Sequence, residues 1–254
     1  MNDRLARAWT DAADGYDAYF VPRFAPWVDD AVHAVHDLPD GPILVPCCGT
    51  FPELEGLSAR FPGRELVGID LSAGMVRLAR ERAAGRANVT VIEDDAASLD
   101  PQWTDNCAAV VSVFGLQQLP EPAAAIRCWF GALRPGGRLS VVYWPGLVEE
   151  DGPFARMAGL VRARVGASRR DWEEALVPAL DGARIDRDDF PGHAMSHADA
   201  TAFFDAYTRS GPLRALASAH GEAFVTDLRH EFLRDAPSGE WTHRPRARHL
   251  VATR

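Results

Sequence analysis

ILVPCCGTFPE, Ile43 to Glu53, reads as a buried strand running into a loop and then a helix, and its interpretation decides the fold. PILVP is a short apolar run behind a Gly-Pro turn, the pattern of a strand buried on both faces. In a parallel-sheet enzyme the loop that follows usually carries Gly-x-Gly-x-Gly or Gly-x-Gly-x-x-Gly. Here it reads Cys47-Cys48-Gly49-Thr50-Phe51-Pro52, with one glycine left. A strand-to-helix loop offers backbone N–H groups and the positive end of a helix to an anionic group. Gly49 is where the backbone can approach a ligand most closely. A plain turn with buried cysteines explains the same residues, since free cysteine is among the most buried residue types.

Outward from this loop, strands and helices alternate. ELEGLSARF reads as a helix and ELVGI as a second strand. Ser72 precedes the helix AGMVRLARERAAG, with Met75, Leu78 and Ala79 on one face and Gly85 as its stop. NVTVIE is a third strand and CAAVVSVF a fourth. EPAAAIRCWFGAL is a helix with Pro122 in its first turn, ending at RPGG, and RLSVVYW is a fifth strand. Strands that alternate with helices and are apolar throughout predict a parallel sheet covered on both faces. After Pro145 the rhythm changes. GPFARMAGLVRARVG and RRDWEEALVPAL read as helices, residues 183–195 as a sixth strand, and Ser196 with Asp199 as a capping box for ADATAFFDAYTRSG. LRALASAHG and EAFVTDLRHEFL are two more helical patches, and the chain closes on a final strand. Residues 1–36 form an early helix, a natural lid together with the helices beyond Pro145.

Bulk composition narrows the function. The 254 residues carry a net charge of −9, and 47% are hydrophobic. An acidic chain of this kind argues against a nucleic-acid surface, which needs clustered positive charge. Every one of the 27 basic residues is arginine, which excludes Schiff-base chemistry and a P-loop lysine. Cys47, Cys48, Cys107 and Cys128 form no C-x-x-C pair, so no zinc ribbon or redox motif is expected and no metal site is assigned. The polar N-terminus is no signal peptide, and no apolar run approaches the roughly 20 residues that span a bilayer. The expectation is a cytoplasmic protein without a membrane or nucleic-acid partner, monomeric or homodimeric.

In an open parallel sheet, ligands bind beyond the carboxyl ends of the strands. Besides the first loop, three segments reach that place. VGIDLS puts Asp70 at the end of the second strand, where an acid hydrogen-bonds ribose hydroxyls in nucleotide-binding sheets. EDDAASL puts Asp94 or Asp95 at the end of the third. SVFGLQQLP brings Phe114, Gln117 and Gln118 to the end of the fourth.

Five segments in this order, with LRPGGRL and IDLSAGMVRLAR the most specific, resemble the class I S-adenosylmethionine-dependent methyltransferases. The branch most similar acts on small molecules and includes ubiquinone and menaquinone C-methyltransferases and natural-product methyltransferases. The resemblance covers about residues 40–144, with the GYDAYF segment also similar. It implies a Rossmann-like, doubly wound α/β fold with a mostly parallel seven-stranded sheet and helical lid elements at both ends. Residues 1–38 would be a helical lid, 39–145 the cofactor-binding core, and 146–254 the acceptor-binding region with the last two strands. The cofactor would be S-adenosyl-L-methionine, leaving as S-adenosyl-L-homocysteine, and the partner a small-molecule acceptor of specialised metabolism. Carried onto this chain, Cys47, Cys48, Gly49 and Thr50 would wrap the methionine end. Asp70 would hold the ribose, Leu71 and Met75 would flank adenine, and Asp95 with Ala96 would face its edge. Val113 and Phe114 would lie behind the sulfonium, Tyr16 would close over the methionine, and Arg23 would reach its carboxylate. Gln117 and Trp144 would touch the acceptor, and Tyr16 and Tyr143 are the candidate bases. Each of the 8 histidines, including His193, His197 and His243, reads more simply as a surface or satisfied core residue.

The chain departs from the family where Val45 replaces an acid and where Cys47 and Phe51 replace glycines. Glu53 or Glu55 would supply a replacement acid, and the cysteines fit the loop if their backbone stays at negative φ. The loop therefore reads as a rebuilt site. Other readings of the same residues are a cyclase or silent partner on the same fold, a nicotinamide-dependent dehydrogenase, and an interaction module. The second suits Asp70 but leaves LRPGG unexplained and lacks Gly-x-Gly-x-x-Gly.

Overall fold

The computed structural model describes residues 3–166, 171–209 and 211–254. Its sheet is built from β1 (Ile43–Pro46), β2 (Leu66–Asp70), β3 (Val89–Glu93), β4 (Cys107–Val113) and β5 (Leu133–Tyr143), joined by β6 (Arg184–Asp189) and β9 (Arg248–Thr253). The order is β3-β2-β1-β4-β5-β9-β6, with β9 antiparallel to both neighbours and the pairs among β1–β5 parallel. This is the expected seven-stranded, Rossmann-like sheet. A separate ribbon pairs β7 (Met195–His197) with β8 (Trp241–His243), antiparallel. The sixth strand expected over 183–195 therefore divides into an edge strand, Arg184–Asp189, and the approach to this ribbon.

Both faces of the sheet are covered because its strands alternate apolar side chains to each side. Ile43 and Val45 pack under α1 (Asp3–Ala34) and α2 (Leu54–Arg60), whereas Leu44 joins Val67, Ile69 and Trp129 on the face covered by α4 (Pro122–Gly131). α3 (Ala73–Ala83) starts at Ser72, whose hydroxyl accepts from the Met75 N–H at 3.3 Å. α1 holds two internal prolines, Pro22 and Pro26. Each removes an intrahelical bond, a defect worth about 3 kcal/mol in an ordinary helix. Burial of Phe20, Phe24, Trp27, Val28 and Val32 offsets it, at roughly 1.5–3 kcal/mol for each large side chain.

α5 (Pro153–Val165), α6 (Ala200–Thr208), α7 (Gly211–His220) and α8 (Glu222–Arg234) follow the sheet core. At α6 only Asp199 caps, accepting from the Ala202 N–H at 2.7 Å; Ser196 lies in β7 and bonds Thr242 at 2.7 Å. The expected helix over 169–180 is a 3-10 turn at Asp171–Glu173 followed by turns, with 169 and 170 outside the described residues. RPGG, expected to end a helix, is already the first part of β5.

Candidate active site

The loop after β1 keeps the backbone path of a glycine-rich loop with few of its glycines. Cys47 has φ 55°, Gly49 53° and Phe51 62°, so alternate residues adopt the left-handed conformation. The expectation of negative φ is wrong at Cys47. A non-glycine residue held there costs roughly 1–2 kcal/mol, and such strain persists only where its surroundings fix it. The surroundings are explicit. A Cβ on Gly115 would lie 2.3 Å from the Cys47 Cβ, and one on Gly68 would lie 2.9 Å from the Cys48 sulfur and 3.0 Å from the Phe51 ring. Glycines missing from the loop are thus matched by glycines in the strands and turns that face it. The Cys48 N–H donates to the Ile69 carbonyl at 3.0 Å, and Arg82 donates to the Thr50 carbonyl and to Asp17. The Thr50 hydroxyl also donates to Asp17 at 2.5 Å, which ties the loop to α1.

Asp70, at the end of β2, secures the other side. Its carboxylate accepts from the Gly49 N–H at 2.9 Å and from the Ser72 N–H at 2.9 Å. Burial raises its pKa, and the backbone donors of Ser72, Gly49 and Leu71 pull the other way. Above this carboxylate lies a partly open cavity. Cys47, Cys48, Gly49 and Thr50 line one wall, Leu71, Met75 and Ala96 another, and Val113 and Phe114 the end. Nothing stands within 4 Å of where a Gly49 Cβ would be, so the loop backbone is open to a ligand at that point. Phe114 has φ 59°, a strained turn after β4 that turns its ring onto Trp144 at 4.2 Å and 7°.

α1 roofs this cavity. A Cβ on Gly74 would lie 2.4 Å from the Thr10 carbonyl oxygen, so the helix rests directly on the start of α3. Trp9 and Tyr16 also line it, and burial raises the Tyr16 pKa, helped by Glu53, Asp70 and Asp17. Trp9 escaped the sequence reading, because an N-terminal tryptophan outside the strand ends carries no local signal. A second, wider cavity shares Trp9, Tyr16, Phe114 and Gln118 with the first. Gln117, Trp144, Phe24, Phe154 and Met157 face it. Phe203 and Phe204 are core residues, while Tyr207 does line the second cavity.

Three candidates sit elsewhere. Arg23 donates to the Ser196 and Tyr19 carbonyls and stacks on the Tyr19 ring, outside both cavities. Asp95 accepts from the Ala97 N–H at 2.9 Å and lines neither cavity, although Ala96 beside it lines the first. Tyr143 is buried on the far side of the sheet, its hydroxyl 3.0 Å from Arg248 and its pKa pushed up to about 12 by burial. Its strand position was right, but consecutive residues point to opposite faces and Trp144 took the site side.

Of the two replacement acids, Glu55 pairs with Arg86 at 2.5 Å on the surface. Glu53 is 2% exposed, burial raises its pKa to about 8, and its Oε2 is unpartnered. The histidines hold the roof. Tyr19 meets His197 Nδ1 at 2.8 Å, His197 Nε2 meets His243 Nε2 at 2.9 Å, and His243 Nδ1 meets Glu149 at 2.6 Å. Proton placement along this chain is consistent when Tyr19 donates to His197, His197 to His243, and His243 to the carboxylate. Burial pushes His197 down to about 3, so it stays neutral. His193 is bound to Asp30 at 2.7 Å.

Residues 43–137, which contain the strained loop, Asp70 and the strand ends around the first cavity, match a family model described as a methyltransferase domain. The chain carries a methyltransferase domain. The ubiquinone/menaquinone biosynthesis C-methyltransferase UbiE of Syntrophotalea carbinolica is 33% identical over 105 residues, 40% of this chain and 43% of that protein. The chain thus spans less than half the length of the curated relatives it matches. Among solved structures, the YcgJ protein from Bacillus subtilis has a TM-score of 0.58 at 14% identity, covering 89% of this chain and 97% of that one. The [4+2]-cyclase SpnF has a TM-score of 0.56 at 19% identity, covering 91% and 81%. These two likenesses concern the fold of the methyltransferase domain and its surroundings.

Proposed function

We propose that this chain transfers a methyl group from S-adenosyl-L-methionine to a small apolar acceptor. The observation that carries the reading is Asp70 at the end of β2, beneath a cavity whose other wall is a left-handed loop open at Gly49. The residues present fit the nucleoside end: Asp70 has carboxylate lone pairs to accept ribose hydroxyls, Leu71 and Met75 give adenine two apolar faces, and Ala96 flanks its edge. Cys47 to Thr50 would wrap the methionine end, under Tyr16. Bound there, the cofactor supplies an electrophilic methyl group on a sulfonium.

The chain's own work is alignment and exclusion of water. Phe114 and Tyr16 stand at the junction of the two cavities, so an acceptor in the second meets the first between two aromatic rings. Residues 39–145 act as the cofactor core, with 1–38 and 146–254 as roof and acceptor region. The C-methyltransferase UbiE among the relatives supports a small-molecule acceptor.

The test is isothermal titration with S-adenosylmethionine and S-adenosylhomocysteine on wild type and Asp70→Ala. Micromolar binding that weakens by about 1.5–3 kcal/mol in the variant is expected from losing charged hydrogen bonds. Binding of NADH with neither adenosyl ligand bound would overturn the reading in favour of a dehydrogenase.

A further inference from the structure

Among the described residues, the lining of the second cavity has no carboxylate, imidazole or thiol. Its polar part there consists of Tyr16, Gln117, Gln118, Tyr207 and Arg162. The phenol of Tyr16 is held protonated by burial and by nearby carboxylates. In the adjoining cavity, burial raises the thiols of Cys47 and Cys48 well above the usual range, and Asp70, fixed by two backbone N–H groups, is taken up by the ribose in the methyl-transfer reading. His197 and His243 each use both ring nitrogens within the chain that ends on Glu149. Phe154 lines the cavity and packs on His243, ring centroids 5.4 Å apart, so the histidine chain lies against the wall and not in it.

The remaining walls select what can enter. Phe114 and Trp144 present a flat stacked surface, and Phe24, Phe154 and Met157 surround it. The one cationic side chain of the described lining, Arg162, is exposed and has no partner among the described residues. An alkoxide or other localised anion is costly to desolvate in such a place, whereas an anion spread over a flat ring system loses less hydration and keeps the apolar contact area of a stacked ring.

We infer that the acceptor is a flat apolar ring system that enters already ionised, as an enolate or phenolate, and that no carboxylate, imidazole or thiol of the described lining acts as its general base. This rests on the methyl-transfer reading and narrows it to a substrate class. The acceptor's electron pair forms the new bond to the methyl carbon, the pair of the breaking carbon–sulfur bond returns to sulfur, and no protein group gains or loses a proton. The exposed Arg162 favours the anion, as would the sulfonium of a bound cofactor. An unactivated alcohol has no partner here to remove its proton.

The experiment compares two probes by isothermal titration on protein saturated with S-adenosylhomocysteine. 4-Hydroxycoumarin is an enolate at neutral pH, and 4-methoxycoumarin is its neutral analogue of similar shape. The enolate is expected to bind at least about tenfold more tightly, and Arg162→Gln to weaken the enolate about threefold while leaving the methoxy compound unchanged. Equal affinity, a preference for the methoxy compound, or no binding of either probe would overturn the inference. An enolate preference undiminished in Arg162→Gln would remove Arg162 from it. A wild type that takes up no S-adenosylhomocysteine in the first titration would instead sink the methyl-transfer reading, and this inference with it.

Discussion

Replacing Gly115 by alanine should be harmful in this chain because of one other atom, and the reason can be measured. Gly115 has φ −93°, open to any L residue, so alanine brings no backbone penalty. Its new Cβ would lie 2.3 Å from the Cβ of Cys47, more than an ångström inside ordinary contact. Overpacking of this kind costs about 1–3 kcal/mol. Cys47→Gly removes the obstructing atom and the left-handed strain of roughly 1–2 kcal/mol, but loses buried surface and adds unfolded-state freedom, so alone it should be nearly neutral. The double variant should then lie close to wild type, with a coupling energy of about 2 kcal/mol. Urea unfolding of the four proteins, followed by tryptophan fluorescence, closes the cycle. Coupling under about 0.5 kcal/mol would show that the loop simply moves aside, and the idea that facing glycines pin its left-handed path would fail.

Other outcomes follow from the same geometry. Glu53 titrates near 4.5 in an unfolded chain and near 8 here, so unfolded molecules release a proton in that window that folded ones retain. Stability falls as pH rises through it, at up to roughly 1.4 kcal/mol per pH unit. Glu53→Gln should therefore melt with wild type at pH 4.5 and above it at pH 8.5; equal melting temperatures at both would refute the burial argument. Gly74→Ala presses a Cβ onto the Thr10 carbonyl and should loosen the first turns of α1. Hydrogen exchange should quicken in residues 5–14 but not in β1 or β4, and uniform quickening would contradict a local effect. Tyr19→Phe leaves His197 Nδ1 buried without its partner, which should lower Tm by roughly 3–8 °C.

The sheet was legible because each strand of the core is a short apolar run between turn residues, and alternation of strand and helix permits few topologies. That Asp70, Leu71, Met75 and Phe114 line one cavity was legible for the same reason: strand ends gather in one place whatever the details of packing. Arg23 and Tyr143 were misplaced because proximity in sequence to a site segment says nothing about which way a side chain leaves the backbone. The positive φ at Cys47 and Phe51 was hidden for a deeper reason. Left-handed backbone is normally announced by glycine, and here the announcing glycines, Gly68 and Gly115, stand in other elements. The β7–β8 ribbon escaped because two three-residue strands offer no periodicity to read.

The hydrogen-bonded chain from Tyr19 to Glu149 joins residues 178 and 46 positions apart at its first two links. A ribosome delivers Tyr19 long before His197 and His243. Until then the phenol on α1 has no histidine to meet, and closing so long a loop is slow as well as entropically costly. The roof over both cavities is consequently a late product of synthesis. Ligand binding in an enclosed site therefore reports that the chain has been made at least as far as His243 and has closed these links.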